Sequence, residues 1–121
     1  MILLTPAQRT LATAMYEDRG PDSLEANLRK LLDDLNLFGF HVRNSIGSAR
    51  GWPDWAILGP GGALFRELKS EAGKLSGEQR RVGSKLTRAG LDWAVWRPTD
   101  LLNGVIAAQL ARIAYPPEEA A

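Results

Sequence analysis

Apolar positions along the chain recur with two different periods, and each period predicts a different kind of element. Thr5 followed by Pro6 is typical of a helix start and predicts a first helix over residues 6–17, which Gly20-Pro21 ends. Leucines at helical spacing then predict a second helix, ending at Gly39. Its buried stripe is expected to comprise Leu24, Leu28, Leu31, Leu32 and Leu35.

The middle of the chain changes to the short runs and the two-residue alternation of strands. Residues 41–46 predict a strand and residues 47–51 a loop. Residues 55–58 are continuously apolar, as in a strand buried on both faces. Turn-forming residues 59–62 separate them from residues 63–69, whose side chains alternate between two faces. We therefore expect a β-hairpin here.

After the hairpin, the pattern predicts helix, strand and helix. Ser76 and Gln79 have the spacing of a capping box and predict a helix that runs to about Ala89. Residues 93–96 form an apolar strand, and Thr99 can cap a last helix. The order ααβββαβα predicts an α/β domain with one central mixed sheet flanked by helices.

The length and composition predict a single soluble domain. The 121 residues suit one domain, divided into an N-terminal helix (1–20), a core (23–97), a C-terminal helix (98–114) and a fraying tail (115–121). The absence of Cys excludes disulfides, thiolate metal sites and thiol nucleophiles. No apolar stretch approaches the ~20 residues of a membrane span, and no signal peptide is recognisable. We expect a cytoplasmic protein without a membrane partner, in a bacterium or a phage-infected cell.

The net charge of +1 conceals an uneven distribution. Residues 41–97 contain ten Lys and Arg against five Asp and Glu, whereas the rest of the chain contains five against nine. A basic centre favours a polyanionic partner. The alternative is an ordinary solvated helix face, which a charge cluster usually represents.

The predicted hairpin brings two acids together. If residues 59–62 form the loop, Asp54 lies opposite Glu67, and Lys69 shares the face of Glu67. Like charges at this separation are destabilising, but paired carboxylates are also what Mg²⁺ binds. The alternative is that all three are solvated surface residues, as most Asp, Glu and Lys are.

Glu25 is a candidate third carboxylate. On a helical wheel it lies at the edge of the leucine stripe, from which it can reach a cleft beside the sheet. It can equally form a capping box with Asp22. The sequence leaves both interpretations open.

Four elements in order carry a resemblance to a known family. They are Glu25, the run Gly51-Trp52-Pro53-Asp54, the triplet Glu67-Leu68-Lys69, and the segment from Lys74 to Gln79. Together they resemble the PD-(D/E)xK nuclease superfamily, and within it the virus-type replication-repair nuclease domain (VRR-NUC) of small stand-alone phage and bacterial proteins. The resemblance covers about residues 23–97. Trp52 departs from it, because a smaller or aliphatic residue is usual there.

The resemblance implies a restriction-endonuclease-like core and a set of site residues. Mg²⁺, replaceable by Mn²⁺, would be bound by the side chains of Asp54 and Glu67 and by the backbone carbonyl of Leu68. Lys69 would assist the attacking water, and Glu25 would lie beside the metal. Gln79 would support the site from the following helix, although its place in the capping box explains it equally well. No organic cofactor is expected.

Further residues are candidates for DNA contacts. The expected set is Arg50, Trp52, Lys74, Arg80, Arg81, Lys85 and Arg88. Trp52 could stack on a base or line a groove. The other three tryptophans, at positions 55, 93 and 96, are interpreted as core, and the single His41 as structural rather than a ligand.

The resemblance implies a Mg²⁺-dependent, structure-specific endodeoxyribonuclease acting on branched DNA, in particular on Holliday junctions, in DNA repair. Symmetric cleavage of a four-way junction requires two centres, so a homodimer is expected, through apolar surface on the first or last helix. One alternative is a nuclease for flaps, nicks or ends in phage replication or repair. Another is a non-catalytic DNA-binding module on the same scaffold.

Overall fold

A four-stranded mixed sheet forms the centre of the structure, a computed structural model that describes residues 2–42 and 50–117. Its elements are α1 (Pro6–Ala14), α2 (Leu24–Asp34), β1 (Phe38–His41), β2 (Trp55–Gly59), β3 (Gly62–Leu68), α3 (Gly77–Arg88), β4 (Asp92–Trp96), α4 (Pro98–Leu102) and α5 (Val105–Ala114). Among the described residues, no helix is long and apolar enough to cross a membrane.

The sheet confirms the predicted α/β class and the predicted hairpin register. β1, β2 and β3 are antiparallel neighbours, and β4 runs parallel to β3. Leu58 pairs with Ala63, and Trp55 pairs with Arg66. Continuing this register by one residue on each strand brings Asp54 next to Glu67, as the sequence predicted.

The helix starts confirm two predicted caps and correct a third. Thr5 and Ser76 cap α1 and α3, and each is part of a capping box. The predicted box of Asp22 and Glu25 is wrong, because Ser23 caps α2 and its hydroxyl accepts the backbone N–H of Ala26. α2 therefore begins one residue later than a capping box of Asp22 and Glu25 would require.

The end of α2 also differs from the prediction. The helix stops at Asp34 rather than at Gly39, and Gly39 belongs to β1. A Cβ atom at Gly39 would lie 2.6 Å from Leu32 and 2.8 Å from Trp55, so the glycine permits close packing of the strand and does not end a helix. The strand predicted over 41–46 begins earlier, and its residues 43–46 lie outside the described residues, as do 47–49 of the predicted loop.

Two further helix boundaries were predicted wrongly. α1 ends at Ala14 instead of residue 17. The single C-terminal helix is two helices, because Gly104 adopts a left-handed conformation (φ +86°) between α4 and α5. Thr99 is not a cap, since α4 begins after Arg97, whose backbone N–H donates to Asp100 Oδ2.

The hydrophobic core lies between one face of the sheet and helices α2 and α5. It comprises Met15, Leu24, Leu28, Leu32, Trp55, Ile57, Leu64, Leu68, Trp96, Ile106, Leu110 and Ile113. Trp55 and Trp96 are core residues as predicted, whereas Trp93 is only half-buried and packs against Gly83 of α3. This core fixes the ends of β2 and β3, where the candidate site lies.

One charged residue is enclosed in this core. Arg66 is buried, and its guanidinium donates to Asp92 Oδ1 at 2.9 Å and to Gln109 Oε1 at 3.0 Å. Burial lowers the pKa of Arg66, and the nearby Asp92 opposes this shift. Its partners explain why an arginine is tolerated on the apolar face of β3.

Candidate active site

The side chain of Asp54 is hydrogen-bonded to the backbone at the end of β3. It follows the fully buried Pro53 and comes directly before β2. Its Oδ2 accepts the backbone N–H of Leu68 at 2.8 Å. This bond fixes the carboxyl group at the point where the β2–β3 ladder stops.

Glu67 is a buried acid, and only one of its two carboxyl oxygens accepts a hydrogen bond. The residue is only 1% exposed, and its Oε1 accepts a hydrogen bond from Gln79 Nε2 at 3.0 Å. Oε2 is buried and meets no donor group. The side chain of Asp54 is the neighbouring acid, and a proton shared between the two carboxyl groups favours the protonated form of Glu67.

The environment of Glu67 favours its protonated form. Burial first, and then the neighbouring Asp54, raise the pKa of Glu67 to about 8. The ammonium of Lys69 acts in the opposite direction but does not offset the burial. Glu67 and Asp54 therefore form a pair that cannot both be ionised at low cost without a cation.

Gln79 makes a contact to the helix start and a contact to Glu67 with the same side chain. Its Oε1 accepts the backbone N–H of Ser76 at 2.9 Å, which completes the capping box of α3. Its Nε2 donates to Glu67 Oε1. The amide therefore links the start of α3 to the buried acid.

Asp54 also opens onto a polar cavity of about 320 Å³ at the end of the sheet. The cavity is lined by Glu17, Asp18, Glu25, His41, Val42, Asp54 and Leu68. Glu67 and Lys69 do not line it. The structure therefore brings Glu25, Asp54 and Leu68 to one cavity, while Glu67 lies buried next to Asp54.

Glu25 reaches this cavity from α2, which supports the cleft interpretation over the cap. Its Oε1 lies 3.1 Å from His41 Nε2 and 3.6 Å from Arg29. The His41 ring stacks on Trp55 at 4.7 Å between ring centroids. Glu25 is thus part of the cavity wall, with His41 and Arg29 as its neighbours.

Three polar residues of the cavity wall were not among the predicted site residues. Glu17 and Asp18 lie between α1 and α2, and a pair of acids there looks like an ordinary solvated turn. Glu17 Oε2 accepts the backbone N–H of Ser70 at 2.6 Å, which connects this segment to the chain just after Lys69. His41 was interpreted only as structural. Nothing in the sequence pattern pointed to these contacts.

The described residues do not contain a metal site formed by side chains alone. Within 2–42 and 50–117, no group of three or more His, Cys, Asp or Glu is arranged to hold an ion. Any ion at Asp54 and Glu67 would need backbone oxygen and water as further ligands. Mg²⁺ commonly binds in this way, because it keeps several of its waters.

A second cavity, of about 420 Å³, collects several of the predicted DNA contacts. It is lined by Arg50, Trp52, Arg81, Val82, Lys85, Leu86 and Ala89. The other three predicted contacts, Lys74, Arg80 and Arg88, are exposed but do not line it. The cavity lies between the loop that leads to Asp54 and the helix that carries Gln79.

Comparisons with known proteins give no identification: no family model matches the chain, and no curated protein or solved structure shows significant similarity to it.

Proposed function

We propose that this protein is a Mg²⁺-dependent endodeoxyribonuclease with a PD-(D/E)xK-type core similar to the VRR-NUC domain. The observation that carries the proposal is the pairing of Asp54 with Glu67 at the meeting point of β2 and β3. Burial and Asp54 hold Glu67 in its protonated form, with a pKa of about 8. An acid pair of this kind is strained electrostatically unless a proton or a cation lies between the carboxyl groups.

The residues present fit a divalent ion with hard oxygen ligands. Glu67 Oε2 is a buried oxygen without a donor, which a cation would satisfy. Asp54 and Glu67 are each oriented by one hydrogen bond, from Leu68 N–H and from Gln79. Such outer contacts are typical of ligating carboxylates. The Leu68 carbonyl remains the proposed third protein ligand.

Each residue of the site has a proposed role in phosphodiester hydrolysis. When bound, Mg²⁺ would supply Lewis-acid activation of the phosphate and of water. Asp54 and Glu67 hold the ion, and Gln79 keeps Glu67 in position. Lys69, whose charge already acts on Glu67, assists the water or steadies the phosphate. Glu25 lines the cavity next to Asp54, where it can orient water.

The proposed substrate is DNA, and branched DNA in particular. Cations near the site, among them Arg50, Arg81 and Lys85, suit contacts to a phosphate backbone. Symmetric cleavage of a four-way junction needs two centres, so a homodimer is the proposed active form. Mn²⁺ is expected to replace Mg²⁺ because it also accepts oxygen ligands.

A cleavage assay tests this proposal. The purified protein is incubated with labelled four-way junction, flap, nicked, single-stranded and plain duplex DNA, each with Mg²⁺, Mn²⁺ or chelator. Asp54→Ala and Lys69→Ala serve as site variants, and Asp33→Ala, on the exposed end of α2, serves as the control. We expect paired symmetric nicks in the junction that disappear with chelator and in the site variants but persist in the control.

The alternatives give different results in the same assay. Cleavage of flaps, nicks or ends, with the junction left intact, would support the assigned site and contradict the role as a junction resolvase. If the protein binds DNA tightly but cleaves no substrate with either metal, the proposed enzymatic activity is wrong and the protein is a DNA-binding module. Gel filtration of the same preparation distinguishes the dimer from a monomer.

A further inference from the structure

The cavity beside the active site combines an apolar floor with a cationic rim. Val82 and Leu86 of α3, Ala89 at its C-terminal end and the indole of Trp52 provide the apolar lining. Arg50, Arg81 and Lys85 provide the cations, and all three are exposed. No acidic residue is among the seven that line it.

Trp52 is held in place although it is partly exposed. It is 37% exposed, and its ring meets Phe65 edge-on at 6.1 Å between ring centroids. The preceding Gly51 has φ +85°, and a Cβ atom there would lie 2.4 Å from the Glu78 carbonyl oxygen. The loop is therefore packed directly against α3, which presents the indole in a defined position.

Among the described residues, the cations of this cavity have no acidic partner. In the part of the chain that the structure describes, the ion pairs involve Arg29, His41, Arg66 and Arg112, and none includes Arg50, Arg81 or Lys85. Unpaired cations around an apolar slot suit a ligand that is both planar and anionic. A nucleotide has these two properties, because a flat base is attached to a phosphate.

We propose that this cavity binds one unpaired nucleotide of the DNA substrate, with its base stacked on Trp52 and its flanking phosphates at Arg81 and Lys85. The volume of about 420 Å³ is in the range of small-molecule sites. A base within a duplex is stacked between its neighbours and cannot enter, so the cavity selects DNA with an unpaired position. This inference rests on the proposed function.

The position of the cavity relative to the acids explains what it would do. Trp52 precedes Asp54 by two residues, a distance of at most about 7 Å along the backbone. A strand with one base against Trp52 therefore brings a nearby phosphate to Asp54. The pocket would place the cut close to an unpaired nucleotide, such as one at a branch point, without reading sequence.

Equilibrium binding in chelator tests the pocket separately from cleavage. Fluorescence anisotropy is measured with three labelled DNAs: a plain duplex, the same duplex with one bulged nucleotide, and that bulge made abasic. We expect the wild type to prefer the bulged base by about 10-fold over the abasic bulge, as one base–aromatic stack provides. Trp52→Ala should lose this preference, and Trp52→Phe should keep most of it.

Two further variants separate base stacking from phosphate binding. The double variant R81A/K85A should weaken binding to the bulged and the abasic DNAs in parallel and reduce their salt dependence by about two phosphate contacts. Tyr115→Ala removes an exposed aromatic outside the pocket and should leave the preference unchanged. Thermal melting followed by circular dichroism checks that each variant is folded.

If the wild type binds the bulged and abasic DNAs equally, the proposed nucleotide pocket is wrong, even if the protein cleaves DNA. An equal loss on all three DNAs in Trp52→Ala would also overturn it. A base preference that depends on Trp52, in a protein that cleaves nothing with Mg²⁺ or Mn²⁺, supports the pocket and refutes the nuclease.

Discussion

Gln79 Nε2 donates to Glu67 Oε1 at 3.0 Å, while the other end of the same amide accepts the backbone N–H of Ser76. One side chain thus connects the start of α3 to a buried acid whose second oxygen meets no donor. Because the two contacts use different atoms of the amide, a substitution at Ser76 can remove the cap while leaving the contact with Glu67.

Gln79→Ala should affect both stability and metal binding, whereas Ser76→Ala should affect only stability. Each removes part of the capping box and should lower the free energy of unfolding by about 1 kcal/mol. Gln79→Ala also frees Glu67 to rotate, which should weaken Mg²⁺ binding by about 10-fold or more. Urea denaturation and Mg²⁺ titration measure the two effects. Equal Mg²⁺ affinity in the two variants would refute the positioning role of Gln79.

Stability without metal should fall as pH rises from about 4.5 to about 8. In this window the folded protein keeps the Glu67 proton, since its pKa is raised to about 8, whereas the unfolded chain with an ordinary pKa of 4.5 has lost it. The free energy of unfolding should therefore decrease by up to about 1.4 kcal/mol per pH unit. Denaturation in chelator at several pH values tests this.

Glu67→Gln is the control for the pH dependence, because it keeps the shape of the side chain and cannot titrate. Its stability should be nearly independent of pH over the same window. A wild-type profile that is equally flat would contradict the raised pKa of Glu67.

Asp54→Asn should stabilise the metal-free protein and abolish cleavage. The amide oxygen can still accept Leu68 N–H, but the charge that opposes ionisation of Glu67 is removed. We expect a higher melting temperature in chelator and a cleavage rate lower by a factor of about 100 or more. Differential scanning calorimetry and a nuclease assay measure both. A destabilised variant would mean that the two carboxyl groups do not repel each other.

Gly51→Ala should cost more stability than Gly90→Ala, although both glycines have nearly the same backbone angle. φ is +85° at Gly51 and +84° at Gly90, so alanine pays a left-handed penalty of about 1–2 kcal/mol at each. A Cβ atom at Gly90 meets nothing within 4 Å, whereas one at Gly51 would collide with the Glu78 backbone. Urea denaturation should show the difference, and equal losses would contradict the tight contact between the Trp52 loop and α3.

Local sequence signals predicted the helix starts correctly where the signal involves only a few neighbouring residues. The cap at Thr5 and the capping box at Ser76 were predicted because such a signal involves only residues within one turn of each other. The boundary errors have a common cause. Ser23 was preferred to Asp22, and Gly39 joined a strand, because packing against the sheet decided between local alternatives that the sequence left nearly equal.

The sequence by itself determined the mixed α/β order, the hairpin register and hence the proximity of Asp54 to Glu67. It could do so because a two-residue alternation and a tight turn fix which side chains face each other. Only the tertiary structure decided that Glu67 is buried with a raised pKa, that Glu17, Asp18 and His41 join Glu25 around one cavity, and that Trp52 lines a second cavity together with cations of α3. Burial and these contacts depend on residues far apart in the chain, which no local pattern encodes.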